Sequence, residues 1–409
     1  MKQETTENQF PKLRPLDPRP LLHSGRPSIL LRDPLQLSDS AIVIPQQLGP
    51  ALALCDGTRD AGGLSAALAV RYGLRAEPAM LEQLVAALDG ALLLENERSA
   101  QARARALAEY SQAPFRPPAG AGRSYPAEPD ELRRLLDGYL SDAEEASARS
   151  TDCRGLICPH IDYARGGPVY AQTWKPVTDV VREADLVVLL GTDHFGDGGL
   201  VTLTRQHYAT PWGVLPTAVE SVDALAATIG PEKAFAGELA HCSEHSIELA
   251  AVWLHHVRAG RPCELLPILC GSFAPFMGDG AEPESDPTLA ALVDGLGQAM
   301  AGRRVLVVAA ADLAHVGPAF GGQPVDLMGR ARLKAADDEL IERTCAGDAA
   351  GFFAAIERVD DRYNVCGTPP IYLALRTLSP VAGERVAYDL CPADQNDASW
   401  VSVCGIILT

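Results

Sequence analysis

From Gly155 onward the chain repeats a pattern that leaves few folds open: a short apolar run, a stretch with helical spacing, then another apolar run. The runs are Gly155 to Cys158, Leu186 to Leu190, Leu265 to Leu269, Val305 to Ala309 and Val401 to Leu408. A run that is apolar at consecutive positions belongs to a strand covered on both faces, and strands that alternate with helices build a sheet whose helices supply that cover. The predicted class is α/β, with a central mixed, largely parallel sheet flanked by helices. Helices are expected at Pro129 to Tyr139, Val219 to Ile229, Ser246 to Val257, Thr288 to Met300, Leu327 to Ala346 and Pro370 to Leu378.

At 409 residues the chain is long for one core, so two units are expected. Residues 1–26, with Pro11, Pro15, Pro18 and Pro20, read as an extended Pro-rich tail. In residues 27–111, β-like runs at Ser28 to Arg32 and Ala41 to Pro45 precede helical patterns at Leu48 to Cys55, Gly62 to Tyr72 and Pro78 to Asp89. Ala91 to Glu95 can return as a strand before a helix at Ser99 to Ser111, which outlines a small winged-helix-like α+β domain. Residues 112–121 mix Pro and Gly and read as a linker, leaving 122–409 as the α/β domain.

A formal net charge of −18 repels phosphate backbones and anionic lipid, which argues against nucleic acid or a membrane surface as partner. No apolar run reaches the length of a membrane span, and Met1 to Lys12 lacks the apolar stretch of a secretory signal. The ten cysteines are scattered without a CxxC pair and read as reduced thiols, so a cytoplasmic location is expected. The phosphate-loop, dinucleotide, zinc-protease and serine-hydrolase signatures are absent.

The histidines are not scattered. Eight of the nine fall between His160 and His315, and three follow the carboxyl end of an expected strand: His160, His194 and His315. In an open α/β sheet the carboxyl ends of parallel strands share one rim, where ligands bind. Neighbouring strands would therefore bring the three rings together. Asp193 precedes His194 and Asp312 lies three residues before His315, and a carboxylate can fix an imidazole's tautomer or raise its basicity. Each ring alone is more readily a hydrogen-bonded strand-end residue; their joint placement favours a metal or acid/base pocket. Glu244-His245 lies just before an amphipathic helix, where Glu244 reads equally well as a carboxylate complementing the helix dipole. Cys366 stands before Gly367 and a Pro-initiated helix, a position that lowers a thiol's pKa, although a lone cysteine is more often inert.

At these residues the second domain resembles the MEMO family, the second component named in AmmeMemoRadiSam gene systems. The matching blocks run in order: Gly122-Arg-Ser-Tyr-Pro-Ala-Glu-Pro, Pro159-His-Ile-Asp-Tyr163, Gly166-Gly-Pro-Val, Gly191-Thr-Asp-His194, Glu244-His-Ser-Ile-Glu248, Ala311-Asp-Leu-Ala-His315 and Val365-Cys-Gly367. The resemblance implies the fold of class III extradiol (LigB-type) dioxygenases and a metal held by His160, His194 and Cys366. It also implies a pocket containing Asp312, His315 and His245 as supporting or acid/base groups. Within a metal-enzyme reading, His315 is expected as the general acid/base and Asp312 as its orienting partner, because the pair lies on the same rim and histidine titrates near neutrality. Two positions depart from the family pattern, Asp162 within the usual PHAGY block and Asp193 before the second histidine, and both add negative charge.

The N-terminal unit is similar, less specifically, to PqqD-like peptide-binding winged helices, through Ile29-Leu-Leu-Arg-Asp-Pro34, Cys55-Asp-Gly-Thr58 and Leu92-Leu-Leu-Glu95. That fold captures a peptide by strand addition, and a docking extension without ligand is an equal reading. The expected function is a non-haem, Fe(II)-dependent, O2-using oxidoreductase acting on a small molecule or a peptide-borne group, with copper or zinc as alternative metals. The alternative from another class is a non-catalytic metal- or peptide-binding protein, and a metal-free anion or phosphopeptide pocket is the third.

Overall fold

The computed structural model describes residues 10–143, 151–196, 199–278 and 280–409. It divides into two compact units, Met1–Gln112 and Ala113–Thr409.

In the first unit, strands β1 (Asp17–His23), β2 (Arg26–Arg32) and β3 (Ile42–Pro45) form an antiparallel sheet in that order. Helices Gly49–Leu54, Ala61–Tyr72, Pro78–Gly90 and Glu97–Gln112 follow. Leu31, Leu54, Leu64, Leu68, Leu81 and Leu88 are the heart of its core.

The N-terminal segment is more than the tail expected for residues 1–26, because β1 pairs along its whole length with β2 despite Pro18 and Pro20. A proline lacks a donor, and an edge strand tolerates that lack. Ahead of β1, the Leu13 and Arg14 amides donate to the Cys55 and Leu93 carbonyls, and Arg14 pairs with Asp33 at 3.1 Å. The strand expected at 91–95 is only a single bridge between Leu13 and Leu94, since Leu92 turns out of register with a φ of 60°.

The second unit is built on an eight-stranded sheet. Its strands are β4 (Gly155–Cys158), β5 (Leu186–Thr192), β6 (Val201–Leu203), β9 (Glu264–Cys270), β10 (Val305–Ala310), β11 (His315–Val316), β12 (Gly383–Pro392) and β13 (Trp400–Leu408). Between β6 and β9 a separate hairpin pairs β7 (Tyr208–Thr210) with β8 (Gly213–Leu215). The spatial order is β11-β13-β4-β10-β5-β9-β6, with β12 on the other edge of β13. The four central strands β4, β10, β5 and β9 are mutually parallel, and the outer strands join antiparallel.

Alternate side chains serve two cores. Leu186, Val188 and Leu190 pack with helices Val219–Ile229, Pro287–Met300 and Thr368–Leu378. Val187 and Leu189 point the other way, onto helices Pro129–Asp142, Tyr163–Trp174 and Ser246–Val257. This two-sided burial is why the strands read as unbroken apolar runs.

Helix Tyr163–Trp174 was not among the expected helices, because Gly166-Gly167-Pro168 reads as a breaker. Gly167 is required by packing, since a Cβ there would stand 2.3 Å from the Tyr139 ring. The segment 112–121 is also no free linker: the Arg116 amide donates to the His207 carbonyl, and its side chain is fully buried in the second unit. Among the described residues no helix is long and apolar enough to cross a membrane.

Candidate metal centre

Because β4 and β5 flank β10 in parallel register, their carboxyl ends open on the same rim. His160 leaves β4, His194 leaves β5, and Asp312 leaves β10. Helices Ser246–Val257 and Thr368–Leu378, on opposite faces of the sheet, begin just after His245 and Gly367. The centre is thus bounded by strand ends and by helix N-termini, whose partial positive charge favours a thiolate at Cys366.

His160, His194 and Cys366 each offer one ligand atom, and these atoms lie within 4.8 Å of one another. The Nδ1 of His160 is 2.8 Å from the Ala310 carbonyl oxygen. A carbonyl can only accept, so this nitrogen carries a proton and Nε2 is turned towards Cys366 Sγ, 3.3 Å away. His194 is fixed in the same sense, with Nδ1 lying 3.0 and 3.1 Å from the two carboxylate oxygens of Glu244.

Glu244 is almost wholly buried and serves both strand end and helix start. It accepts the backbone N–H groups of His194, His245 and Ser246, and its Oε1 lies 3.1 Å from His245 Nδ1. The His245 ring stacks on His194 with centroids 4.9 Å apart and lies edge-on to His160 at 5.5 Å. Although His194, Glu244 and His245 also cluster closely, the carboxylate is already taken up by these donors.

Asp312 is fully buried. Its Oδ1 accepts the His160 amide at 2.8 Å, while Oδ2 stands 3.7 Å from His160 Nε2 and has no hydrogen-bond partner among the described residues. An unpartnered buried carboxylate oxygen is costly unless a cation or proton joins it. His315 sits on β11 with Nδ1 3.3 Å from the Leu313 carbonyl and its ring edge-on to Phe320 at 5.0 Å. Asp312 thus bonds the His160 backbone, both residues standing at the ends of neighbouring strands, while its charge also acts on His315.

The electrostatics form one coupled set. Burial works against charge on His160, but Asp312 and Cys366 outweigh it and push that imidazole up to about 9. Burial likewise opposes charging of His194 and His315, which Glu244 in the first case and Cys366 in the second overcome, raising both. The Cys366 thiol, which burial alone would raise, is brought well below its ordinary range by His160 and His315. Burial also opposes the Glu244 charge, yet His194 and His245 hold that carboxyl well below the usual range. Asp312 moves up, chiefly by burial. A thiolate and two carboxyl groups facing four imidazoles favour a divalent cation in place of the protons.

The two departures from the family pattern separate. Asp162 caps helix Tyr163–Trp174 through the Arg165 amide and pairs with the Arg165 guanidinium at 2.6 Å, away from the ligand group. Asp193 accepts the Phe195 amide, and burial followed by the Glu244 charge pushes it up to about 6. Neither belongs to the three-ligand group. The sequence leaves Glu244 undecided and gives no role to Glu248, named only as the end of a family block. The available signal was the acidic residue directly before His245, ahead of a helix start.

Residues 116–406 match a family described as Memo-like protein. A MEMO1 family protein of Methanosarcina acetivorans is 28% identical over 271 residues, covering 66% of this chain and 89% of the relative. One from Methanopyrus kandleri is 29% identical over 286 residues, 67% of this chain and 91% of the relative. One from Aquifex aeolicus is 29% identical over 252 residues, 60% of this chain and 63% of that protein.

Proposed function

This chain belongs to the Memo-like family, and from that premise we propose that its second unit is a non-haem metal enzyme, an O2-dependent oxidoreductase with Fe(II) held by His160, His194 and Cys366. The observation that carries the reading is the convergence of two tautomer-fixed imidazoles and a low-pKa thiol within 4.8 Å. The donor set fits a transition metal. Each histidine has its Nδ1 engaged by an acceptor, and the unpartnered Asp312 Oδ2 faces His160 Nε2. Imidazole with thiolate suits iron, copper and zinc, so iron rests on the combination of three protein ligands and an O2 reaction.

Bound there, the metal supplies a Lewis-acid and redox centre at which O2 and an organic substrate can meet. The chain's own part is to hold that centre and manage protons. Glu244 keeps His194 and His245 oriented, and Asp312 anchors the backbone of His160. His315 is the general acid/base of this reading, its ring set at right angles to Phe320 with centroids 5.0 Å apart. His245, side chain 38% exposed, is the imidazole best situated to meet a substrate.

The first unit adds a peptide-binding reading, in which the substrate is a peptide or a group carried on one. Of the two edge strands, β1 contains Pro18 and Pro20, whereas β3 offers Val43 and Ile44 beside a groove also lined by His23, Arg26 and Gln46. An added strand would use that edge. All ten cysteines are free, which supports a reducing, cytoplasmic setting.

The test is elemental analysis and O2 consumption of anaerobically purified protein loaded with Fe(II). One iron per chain, lost in His160→Ala and His194→Ala, together with O2 uptake on adding substrate, is the expected result. Stoichiometric metal with no O2 uptake across peptide and catechol-like substrates would move the function to metal binding without turnover, and absence of metal would overturn the site.

A further inference from the structure

Outside the candidate metal centre, the most deeply buried opposite charges among the described residues of the second unit are Arg116 and Glu248, with side chains 0% and 1% exposed. Arg116 pairs through Nη1 with Glu248 Oε2, and its guanidinium lies 5.0 Å from the Tyr208 ring centre. Its other nitrogens grip backbone: Nε donates to the His241 carbonyl at 2.6 Å, and Nη2 donates to the Glu244 carbonyl at 2.8 Å. Glu248 is held in turn by the Ala119 and Gly120 amides, both at 2.8 Å, and by the Tyr125 hydroxyl.

A buried ion pair is weak evidence for stability, because apolar residues of similar volume often serve as well; its best use is to specify position. Position is what this pair has to offer. Arg116 grips both ends of the short helix Ala240–Ser243, at His241 and at Glu244. The second of these is the residue whose carboxylate meets His194 Nδ1 and His245 Nδ1. Glu248 lies one helical turn further along, on the helix that Glu244 leads into.

We propose that Arg116, fixed by Glu248, is a positioning residue of the metal centre: it holds the Glu244 backbone and, through the Glu244 carboxylate, sets the orientation of His194. This rests on the metal reading given above. Because Arg116 touches none of the three proposed ligands, its effect passes through Glu244 to His194, while Cys366 and His160 stand on other elements and keep their places without it.

The experiment titrates full-length protein with Co(II), following affinity and the thiolate-to-metal absorption band that reports Cys366. Arg116→Met is expected to weaken Co(II) binding about tenfold, the range for a group that orients a ligand, with the thiolate band retained. Arg116→Lys restores part of the loss. In a His194→Ala background, Arg116→Met is expected to bring no further loss, since the two act on one interaction. Wild-type affinity in Arg116→Met, or an equal fold-loss in both backgrounds, would overturn the proposal. If Arg116→Met does not fold, Arg116→Lys and Glu248→Gln carry the same comparison, with the same two outcomes. Wild-type protein that binds no Co(II) refutes the metal reading itself, and the proposal falls with it; wild-type binding with an unaltered Arg116 variant refutes the proposal alone.

Discussion

His194 Nδ1 and the Glu244 carboxylate face each other at 3.0 Å, and this contact decides which nitrogen of His194 is left for a metal. A carboxylate behind a ligating histidine fixes its tautomer and ring orientation and raises its basicity. Glu244→Gln keeps the shape and removes the charge. Metal affinity is expected to fall ~10–100-fold, measured by competition with a chromophoric chelator, while the far-ultraviolet circular dichroism stays as in the parent. An unchanged affinity would remove Glu244 from the site.

Cys366 Sγ lies 3.3 Å from His160 Nε2, so the thiolate and one imidazole converge on the same point. In Cys366→Ser the Co(II)-loaded protein is expected to lose its thiolate charge-transfer band entirely and to bind more weakly. A band that survives the substitution would mean that another of the ten cysteines is the ligand.

His315 is outside the three-ligand group but within the same set of charges. His315→Gln is therefore expected to retain one metal per chain and to lower kcat by ~10²–10⁴-fold, the span of a general acid/base. Loss of metal in this variant would make His315 a ligand instead.

Asp337 offers a test of linkage away from the rim. It is buried, accepts the Tyr388 hydroxyl at 2.8 Å, and is pushed up to about 6, burial outweighing the hydrogen bonds from Tyr388 and Ser402. A carboxyl whose folded pKa is raised favours folding while protonated. Its contribution is full below the unfolded value of 3.8 and is lost as pH rises to about 6. The loss is on the order of 2–3 kcal/mol. Asp337→Asn should therefore raise the urea midpoint at pH 7 and leave it nearly unchanged at pH 3.5. The same gain at both pH values would contradict the assignment.

The central sheet could be read from the sequence because strands covered on both faces leave an unmistakable run of apolar residues. Convergence of His160 and His194 also followed, since parallel neighbours share a rim and β10 stands between β4 and β5. What escaped was whatever depends on contacts remote in the chain. The role of Glu244 needs His194, fifty positions earlier, and the role of Arg116 needs Glu248, 132 positions later. The bond from the His160 amide to Asp312 is of the same kind, set by the ladder between β4 and β10 rather than by sequence neighbourhood. Local chemistry misled in the N-terminal segment, where Pro18 and Pro20 argue against a strand anywhere except at a sheet edge, which is where β1 lies.

The 206 residues that separate His160 from Cys366 have a consequence for how the protein is made. During synthesis, β4 and β5 emerge long before the turn that carries the thiol. The antiparallel partner of β4, β13, follows later still, at Trp400–Leu408. A nascent chain can thus expose paired imidazoles while lacking the sulfur that completes the set. Metal acquired at that stage would be held by two nitrogens and readily surrendered. If the proposed metal is bound, its loading would accordingly fall late in biogenesis, after closure of the sheet, and a chain stalled before residue 366 would lack the third ligand.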